Sequence, residues 1–520
     1  MVRTNVFLSK SSARLYSWVA FLLIGIIMGL IAFLLDLVVE SLEMGKIKAT
    51  QRILNKGYIG AAWFVFLLIS LVFGIMAAVM TAYWGPGAAG SGTAELMGYL
   101  NGINYPKFIS FKTLITKIVA TILAVASGLC IGKEGPLAHI GAIVGVAVVY
   151  LPFYCFQTFR NDLDKRELSA AGAAAGVSAA FGSPIGGSLF AYEISRPTTF
   201  WSFGLMWKTF FCSSVSTFVL NILTNLKLKE NVSVANAGLI KFGKYDEHPY
   251  MLTEFPFFLI LGLLGGILGS FFIFVNHNVN KLRDKLVTTR KKKVIETSCL
   301  VFLTASIIFL APLTMRDECY DASEDHLETA NIRYLCEEGD YNRLATFLFN
   351  PENKVIKALL DKYAEFTYGS LVVYLLIWYT LTIITYGTCV PAGIFLPGML
   401  IGCDMGKLVG QFVKTYIISS IHVPTYAIIG AASVLAGYSR LSFSLAVIML
   451  ETTENLSLFL PVIFALFVAF STGRLFNRSI YVVALRFKKI PFLQDKIPSA
   501  NCDIRAFEMM SENVCFLEIQ

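Results

Sequence analysis

Charge is what this chain has least of. Only 15% of its 520 residues are charged, where an ordinary soluble domain carries about a quarter. Histidine is scarcer still, with five residues and no paired metal-ligand spacing, and there is no Gly-x-Ser-x-Gly nucleophile turn. These absences leave an enzyme reading without a metal site or a nucleophile, so no enzymatic activity, metal or cofactor is expected. What is present is apolar: 56% hydrophobic residues, 42 Phe, 14 Met and 40 Gly. That composition excludes intrinsic disorder, a collagenous chain and a disulfide scaffold, and it fits packed membrane helices, in which glycine is common. The net charge of +8 then reads as cytosolic loops that fix orientation, not as a nucleic-acid surface.

The first apolar stretch, 18–37, is long enough to span about 30 Å of hydrocarbon and too long for a signal-peptide core. Lys10 and Arg14 precede it and place residues 1–16 in the cytosol. Further apolar segments run over 60–84, 111–130, 137–152, 168–193, 201–226, 252–276, 297–313, 368–388, 394–418, 424–450 and 457–475. Several are short or broken by glycine. Broken helices at membrane depth are expected where backbone lines a cavity or is buried in protein, which points to a transporter or channel.

Topology is fixed by one contrast. Residues 281–293 carry seven Lys and Arg and belong to the cytosol, whereas the loop after segment 297–313 is acidic and belongs to the opposite, lumenal side. That loop, with the segment after it, covers 314–366. Cys319 and Cys336 lie in it and form a candidate disulfide in an oxidising compartment. Asn231-Val232-Ser233 is a candidate glycosylation site on the same side. Cys130, Cys155, Cys212, Cys299, Cys389 and Cys403 lie in or beside apolar segments, where buried thiols are expected.

The chain repeats itself. Gly132, Pro136, Ile140, Gly141 and Gly145 recur as Gly393, Pro397, Ile401, Gly402 and Gly406, each displaced by 261. Gly172 and Glu193 recur as Gly430 and Glu451, displaced by 258. Duplicated segments interrupted by Gly and Pro at matching positions point to a site at the repeat interface. Three short stretches could build it: Gly90-Ser91-Gly92, Gly132-Lys133-Glu134-Gly135-Pro136 and Gly393-Ile394-Phe395-Leu396-Pro397. Each opens an apolar helical stretch, and helix N-termini present unpaired N–H groups that hold an anion without a full cation.

In this order the three stretches resemble the signature loops of the CLC family of voltage-gated chloride channels and chloride/proton exchangers, and the late-endosomal and lysosomal branch in particular. The resemblance covers nearly the whole chain. It implies an all-α polytopic membrane protein with two inverted repeats of broken and re-entrant helices, the transmembrane domain over 17–486 and the repeats at about 60–278 and 296–484. It further implies a homodimer in the lipid bilayer with one anion pathway per subunit. Ser91 and Tyr481 would supply hydroxyls to chloride, Ile394 and Phe395 backbone amides, and Glu134 the gating carboxylate. Gly90, Gly92, Gly132, Lys133, Gly135, Pro136, Gly393 and Pro397 would shape the selectivity loops. Plainer roles compete: a Glu134–Lys133 ion pair, Ser91 as a helix N-cap, Tyr481 as an interfacial tyrosine. Lys208, Arg440 and Asp404 are expected to be structural charges.

Two departures from the family pattern matter. The first loop continues Thr93-Ala94-Glu95 and lacks the usual proline, which loosens the helix start. The stretch Leu189-Phe190-Ala191-Tyr192-Glu193-Ile194 puts Ile194 where exchangers of the family usually carry the internal proton acceptor. Isoleucine cannot hold a proton. The expected function is therefore gated, voltage- and pH-sensitive chloride conduction, with a chloride/proton exchanger and a transport-dead partner subunit as alternatives. Residues 487–520 resemble the start of a CBS domain that the residues present do not complete, so nucleotide binding is not expected. An endosomal or lysosomal address is favoured, the plasma membrane being the alternative.

Overall fold

The computed structural model describes residues 10–105, 107–196, 200–228, 250–316, 318–321, 332–337, 339–361, 366–491 and 508; Asn231 and nearly all of the tail beyond 491 lie outside them. The described residues are overwhelmingly helical. In chain order the helices are α1 (Lys10–Leu54), α2 (Ile59–Val79), α3 (Thr93–Leu100), α4 (Phe111–Ala126), α5 (Glu134–Val149), α6 (Asp162–Phe181), α7 (Pro184–Ile194), α8 (Phe203–Leu228) and α9 (Phe255–Leu286). There follow α10 (Arg290–Leu310), α11 (Arg343–Phe349), α12 (Glu352–Leu360), α13 (Tyr368–Thr385), α14 (Phe395–Tyr416), α15 (Val423–Ser439), α16 (Phe443–Thr453), α17 (Phe459–Phe476) and α18 (Ile480–Phe487). Seven helical segments among the described residues are long and apolar enough to cross a membrane. A two-stranded antiparallel hairpin pairs β1 (Cys319–Asp321) with β2 (Asp340–Asn342).

Two apolar segments that read as continuous are each two helices. Segment 168–193 divides between α6 and α7 at Gly182, whose φ of +67° turns the chain left-handed before Ser183 and Pro184. Segment 424–450 divides between α15 and α16 at Arg440, also left-handed at φ +59°. A non-glycine there is strained, and its guanidinium compensates by donating to the Gly473 carbonyl at 2.6 Å and to Asn477 Oδ1 at 2.8 Å. Arg440 is thus the structural charge expected. α1 outruns its apolar core by more than three turns, because Glu40, Glu43 and Lys46 continue the helix with partners of their own. Of the cysteines expected to be buried, Cys130, Cys212 and Cys403 are, Cys389 is half-buried and Cys299 is exposed on α10.

The duplicated glycines are packing sites. Gly141 and Gly145 of α5 lie against the backbone of Gly172 and Leu168 in α6, and Gly176 against Leu137, so the two helices run antiparallel in near backbone contact. Gly402 and Gly406 of α14 meet Gly430 and Tyr426 of α15 in the same way. Small residues four apart permit this approach in membranes, where packing and not hydrophobicity drives association.

The two copies are inverted. α14 runs toward the lumenal segment: Lys407 donates to the carbonyls of Ala358 and Asp361, and Gln411 to that of Phe366. α5 runs the other way, toward the start of α6, where Glu167 lies near Lys208, itself bonded to Ser17 at the start of α1. The far end of α1 bonds the lumenal side, Lys46 donating to the Ala126 carbonyl at 2.8 Å. Glu193 and Glu451 complete the relation by capping each other's repeat. Glu193, on α7, accepts from the amides and hydroxyls of Ser442 and Ser444 at the start of α16, at 2.6–3.2 Å. Glu451, on α16, accepts from the Ile185 and Gly186 amides at 3.2 and 2.9 Å and from the Ser183 hydroxyl at the start of α7. Glu193→Ala should therefore destabilise the fold by about 2 kcal/mol, the cost of leaving helix-start N–H groups without their cap, whereas Glu193→Gln should keep much of the bonding. Thermal unfolding in detergent reads the difference, and equal melting of both variants and wild type would contradict it.

Candidate functional site

The three expected loops converge. The amide of Gly132 donates to the Gly393 carbonyl at 2.8 Å and Gly393 returns the bond at 3.0 Å, an isolated bridge joining the loops ahead of α5 and α14. The Gly90 amide donates to the Val390 carbonyl at 3.0 Å, tying the first loop to the third. A methyl group added at Gly135 would lie 3.1 Å from Ser91 Cβ and 3.3 Å from Gly393 Cα, so all three loops touch at one point. There the N-termini of α3, α5 and α14 meet, with Pro136 and Pro397 each in the first turn of its helix. Gly92 is left-handed at φ +82°, and an added Cβ would run into the His139 ring, so glycine is required on both counts.

Glu134 begins α5 and is 1% exposed. The backbone amides of Glu134, Leu396 and Lys133 face its carboxylate, but none is placed for a formed hydrogen bond, and both oxygens are buried without a partner. Lys133 does not pair with it. Its ammonium is bonded instead to Asp36 of α1, which disposes of the Glu134–Lys133 ion pair. A buried carboxylate left without a partner among N–H groups is costly to hold in place.

Ser91 Oγ accepts from the Thr93 amide at 3.3 Å, but Gly92 is the N-cap of α3, so Ser91 lies one residue ahead of the cap and does not fill that role. The hydroxyl also contacts the Tyr386 phenol. Tyr481, at the start of α18, is 2% exposed with an unpartnered hydroxyl, inconsistent with an interfacial tyrosine. It interacts with Tyr386, as does Tyr438, whose hydroxyl donates to the Ile394 carbonyl at 2.8 Å. Ile394 and Phe395 are buried at the start of α14, the Phe395 ring 5.8 Å from Phe181 and 6.0 Å from Phe190.

Three contributors escaped the sequence reading. Tyr386 and Tyr438 carry no local motif and are two among 22 tyrosines. Lys117 is buried inside the apolar α4, and its side-chain nitrogen donates to the carbonyls of Ala88 and Gly90 at 2.9 and 2.6 Å, bracing the Ser91 loop from behind. A lone lysine in an apolar helix is the signal that could have found it.

A cavity of about 410 Å³ leads to Ser91 from the face that carries the basic run. Arg283, Lys293 and Lys488 line it together with Glu95, Asp284 and Glu296. Its frame is fixed by Asn276, which donates to the carbonyls of Ile383 and Tyr386 at 2.7 and 2.8 Å. Ile194 is 1% exposed at the end of α7. On the opposite face Cys319 and Cys336 form a disulfide across the acidic loop. Lys208 bonds Ser17, a structural charge as expected. Asp404 differs: it is fully buried within α14, and neither oxygen has a hydrogen-bond partner.

Helix N-termini meeting from inverted repeats, an inner vestibule and a buried carboxylate describe an integral membrane transporter or channel. A family model described as voltage gated chloride channel matches residues 73–474. Chloride channel protein C of Dictyostelium discoideum is 34% identical over 517 residues, covering 96% of this chain and 68% of that protein. Human H(+)/Cl(-) exchange transporter 7 is 33% identical over 516 residues, covering 96% of this chain and 64% of that protein. Among solved structures, a slow cyanobacterial Cl-/H+ antiporter superposes with a TM-score of 0.73 at 21% identity, over 91% of this chain and 97% of the other. A eukaryotic CLC transporter gives 0.69 at 23% identity, over 92% and 75%. The chain belongs to the voltage-gated chloride channel family. It spans about two thirds of the length of the two named relatives.

Proposed function

We propose that this protein conducts chloride across a membrane by a passive, gated path. The ion enters the inner vestibule, is held at Ser91, Tyr481 and the amides of Ile394 and Phe395, and passes when Glu134 vacates the α5 N-terminus. One observation carries the reading. The Glu134 carboxylate sits buried and unpartnered among backbone N–H groups while the adjacent Lys133 is committed to Asp36. A carboxylate so placed competes with chloride for the same donors, and protonation removes its claim on them. Ile194, buried at the end of α7, supports uncoupled conduction, since its side chain cannot carry a proton. Similarity to a chloride/proton exchange transporter favours a second reading, coupled exchange, by a route that does not use position 194. A homodimer and an endosomal or lysosomal membrane go with the same similarity. Chloride efflux from liposomes holding the purified protein tests the reading: efflux well above protein-free vesicles is expected. Background efflux from folded protein would establish a transport-dead subunit instead.

A further inference from the structure

We propose that Glu352 is a lumenal proton-loading site for the Glu134 gate, backed by the Tyr374 hydroxyl and the Asp404 carboxyl; the proposal rests on the gating role of Glu134. Glu352 opens α12, outside the membrane-crossing helices, and its buried Oε1 has no hydrogen-bond partner. It lines a cavity of about 50 Å³ in which Glu43 and Lys46 of α1 and Asn350 are set among mostly apolar walls, a space large enough for one or two waters held by those polar groups. Glu352 is in electrostatic reach of Glu134, Glu43 and Lys133. Behind it, Tyr374 is in reach of both Asp404 and Glu352, and its hydroxyl is fully buried and unpartnered. Asp404 in turn faces Lys407, whose ammonium bonds the Ala358 and Asp361 carbonyls. Three oxygen-bearing groups with unspent hydrogen-bonding capacity, Glu352, Tyr374 and Asp404, thus lie within electrostatic reach of one another through Tyr374.

The surrounding charges suit proton loading. From α1, Asp36 neutralises Lys133, while Glu40, Glu43 and Lys46 follow along the helix toward the lumen, Glu43 about 10 Å beyond Asp36 by helix rise. Burial holds the Glu352 carboxyl well above the ordinary carboxylate range; Glu134 and Glu43 add to this and Lys133 opposes it. Glu352 therefore takes up a proton at a higher pH than an exposed glutamate. The transfer balances: a lumenal proton bonds to Glu352, then leaves it as an O–H bond forms on Glu134, restoring the Glu352 anion. Tyr374 gives that anion its proton as its oxygen takes one from Asp404; the reverse shift, as Glu352 takes up the next lumenal proton, restores the Asp404 carboxyl. Since Ile194 offers no acceptor beyond the gate, a proton loaded from the lumen returns there. The device makes lumenal acid open the path without driving exchange.

A relay changes how fast the gate responds, whereas a lost charge changes only where it titrates, so the test is kinetic. Chloride efflux from liposomes holding the full chain is followed after a pH jump from about 7.5 to about 4.5. Glu352→Gln should slow the rise in flux by about tenfold or more and still reach the wild-type final flux, and Glu352→Asp should recover most of the rate. Tyr374→Phe, which removes one hydroxyl and keeps the packing, should slow the rise by a smaller factor and decides the matter if Glu352→Gln does not fold. An unchanged time course, or a displaced half-point at wild-type speed, would overturn the relay. Glu134→Ala separates the two claims: if it retains the pH-dependent rise, the gate reading itself fails, whereas a pH-insensitive Glu134→Ala beside a wild-type time course in Glu352→Gln refutes the relay alone.

Discussion

Glu134→Ala is expected to leave chloride efflux intact and remove its pH dependence, so that flux stays within about twofold across the range in which a carboxyl titrates. The side chain makes no hydrogen bond and is buried, so its removal forfeits little of the fold. Alanine suits a helix start in the membrane at least as well. What changes is the competition for the N-termini of α5 and α14. With the carboxylate gone, no protein anion answers to pH at that point, and the Lys133–Asp36 pair remains neutral beside it. Efflux assayed at several symmetric pH values reads the outcome. Complete loss of efflux from folded Glu134→Ala would mean that the carboxylate holds the path together and does not close it.

Gly393→Ala should have the opposite effect, lowering efflux by about a hundredfold, the scale set by misplacing a binding site by an ångström. A Cβ at Gly393 would lie 2.6 Å from the Gly132 carbonyl oxygen and 3.1 Å from the Gly135 amide nitrogen. Backbone cannot swing aside as a side-chain end can, so the Gly132–Gly393 bridge must part and the two helix starts separate. Gly132→Ala makes the contrast, because its Cβ meets the movable Glu134 carboxylate and the Leu396 side chain; it should displace the gate and preserve conduction. Efflux of the two variants side by side, each checked for monodispersity and melting temperature, tests this. Equal loss in both would show that the bridge tolerates no substitution for reasons unrelated to the gate.

The loops were legible in the sequence because backbone chemistry needs particular residues: glycine where chain approaches chain, proline in a first helical turn, a carboxylate at a helix start. Gly132 and Gly393 stood out in this way. Inversion was legible only through the family resemblance, since an alignment of two halves is blind to direction; in the structure it follows from where α5 and α14 lead and from the reciprocal caps of Glu193 and Glu451. The breaks after α6 and α15 were hidden inside apolar runs. Gly182-Ser183-Pro184 carried a turn signal that the hydropathy masked, but Arg440 carried none, because its left-handed turn is sustained by distant partners at Gly473 and Asn477. Tyr386 and Tyr438 were illegible for a related reason. Their roles come from tertiary convergence, and nothing adjacent to them in the chain announces it, whereas Lys117 was announced by its place inside an apolar helix.

The central claim is that chloride moves past Glu134 without a stoichiometric proton. It is tested most directly by the reversal potential of the purified protein in a planar bilayer, measured with a fixed chloride gradient and a pH gradient imposed across it. The account predicts a reversal potential that follows the chloride gradient alone, with the pH gradient altering only the size of the current. A stable displacement of the reversal potential along the proton gradient would contradict it and establish coupled exchange despite Ile194.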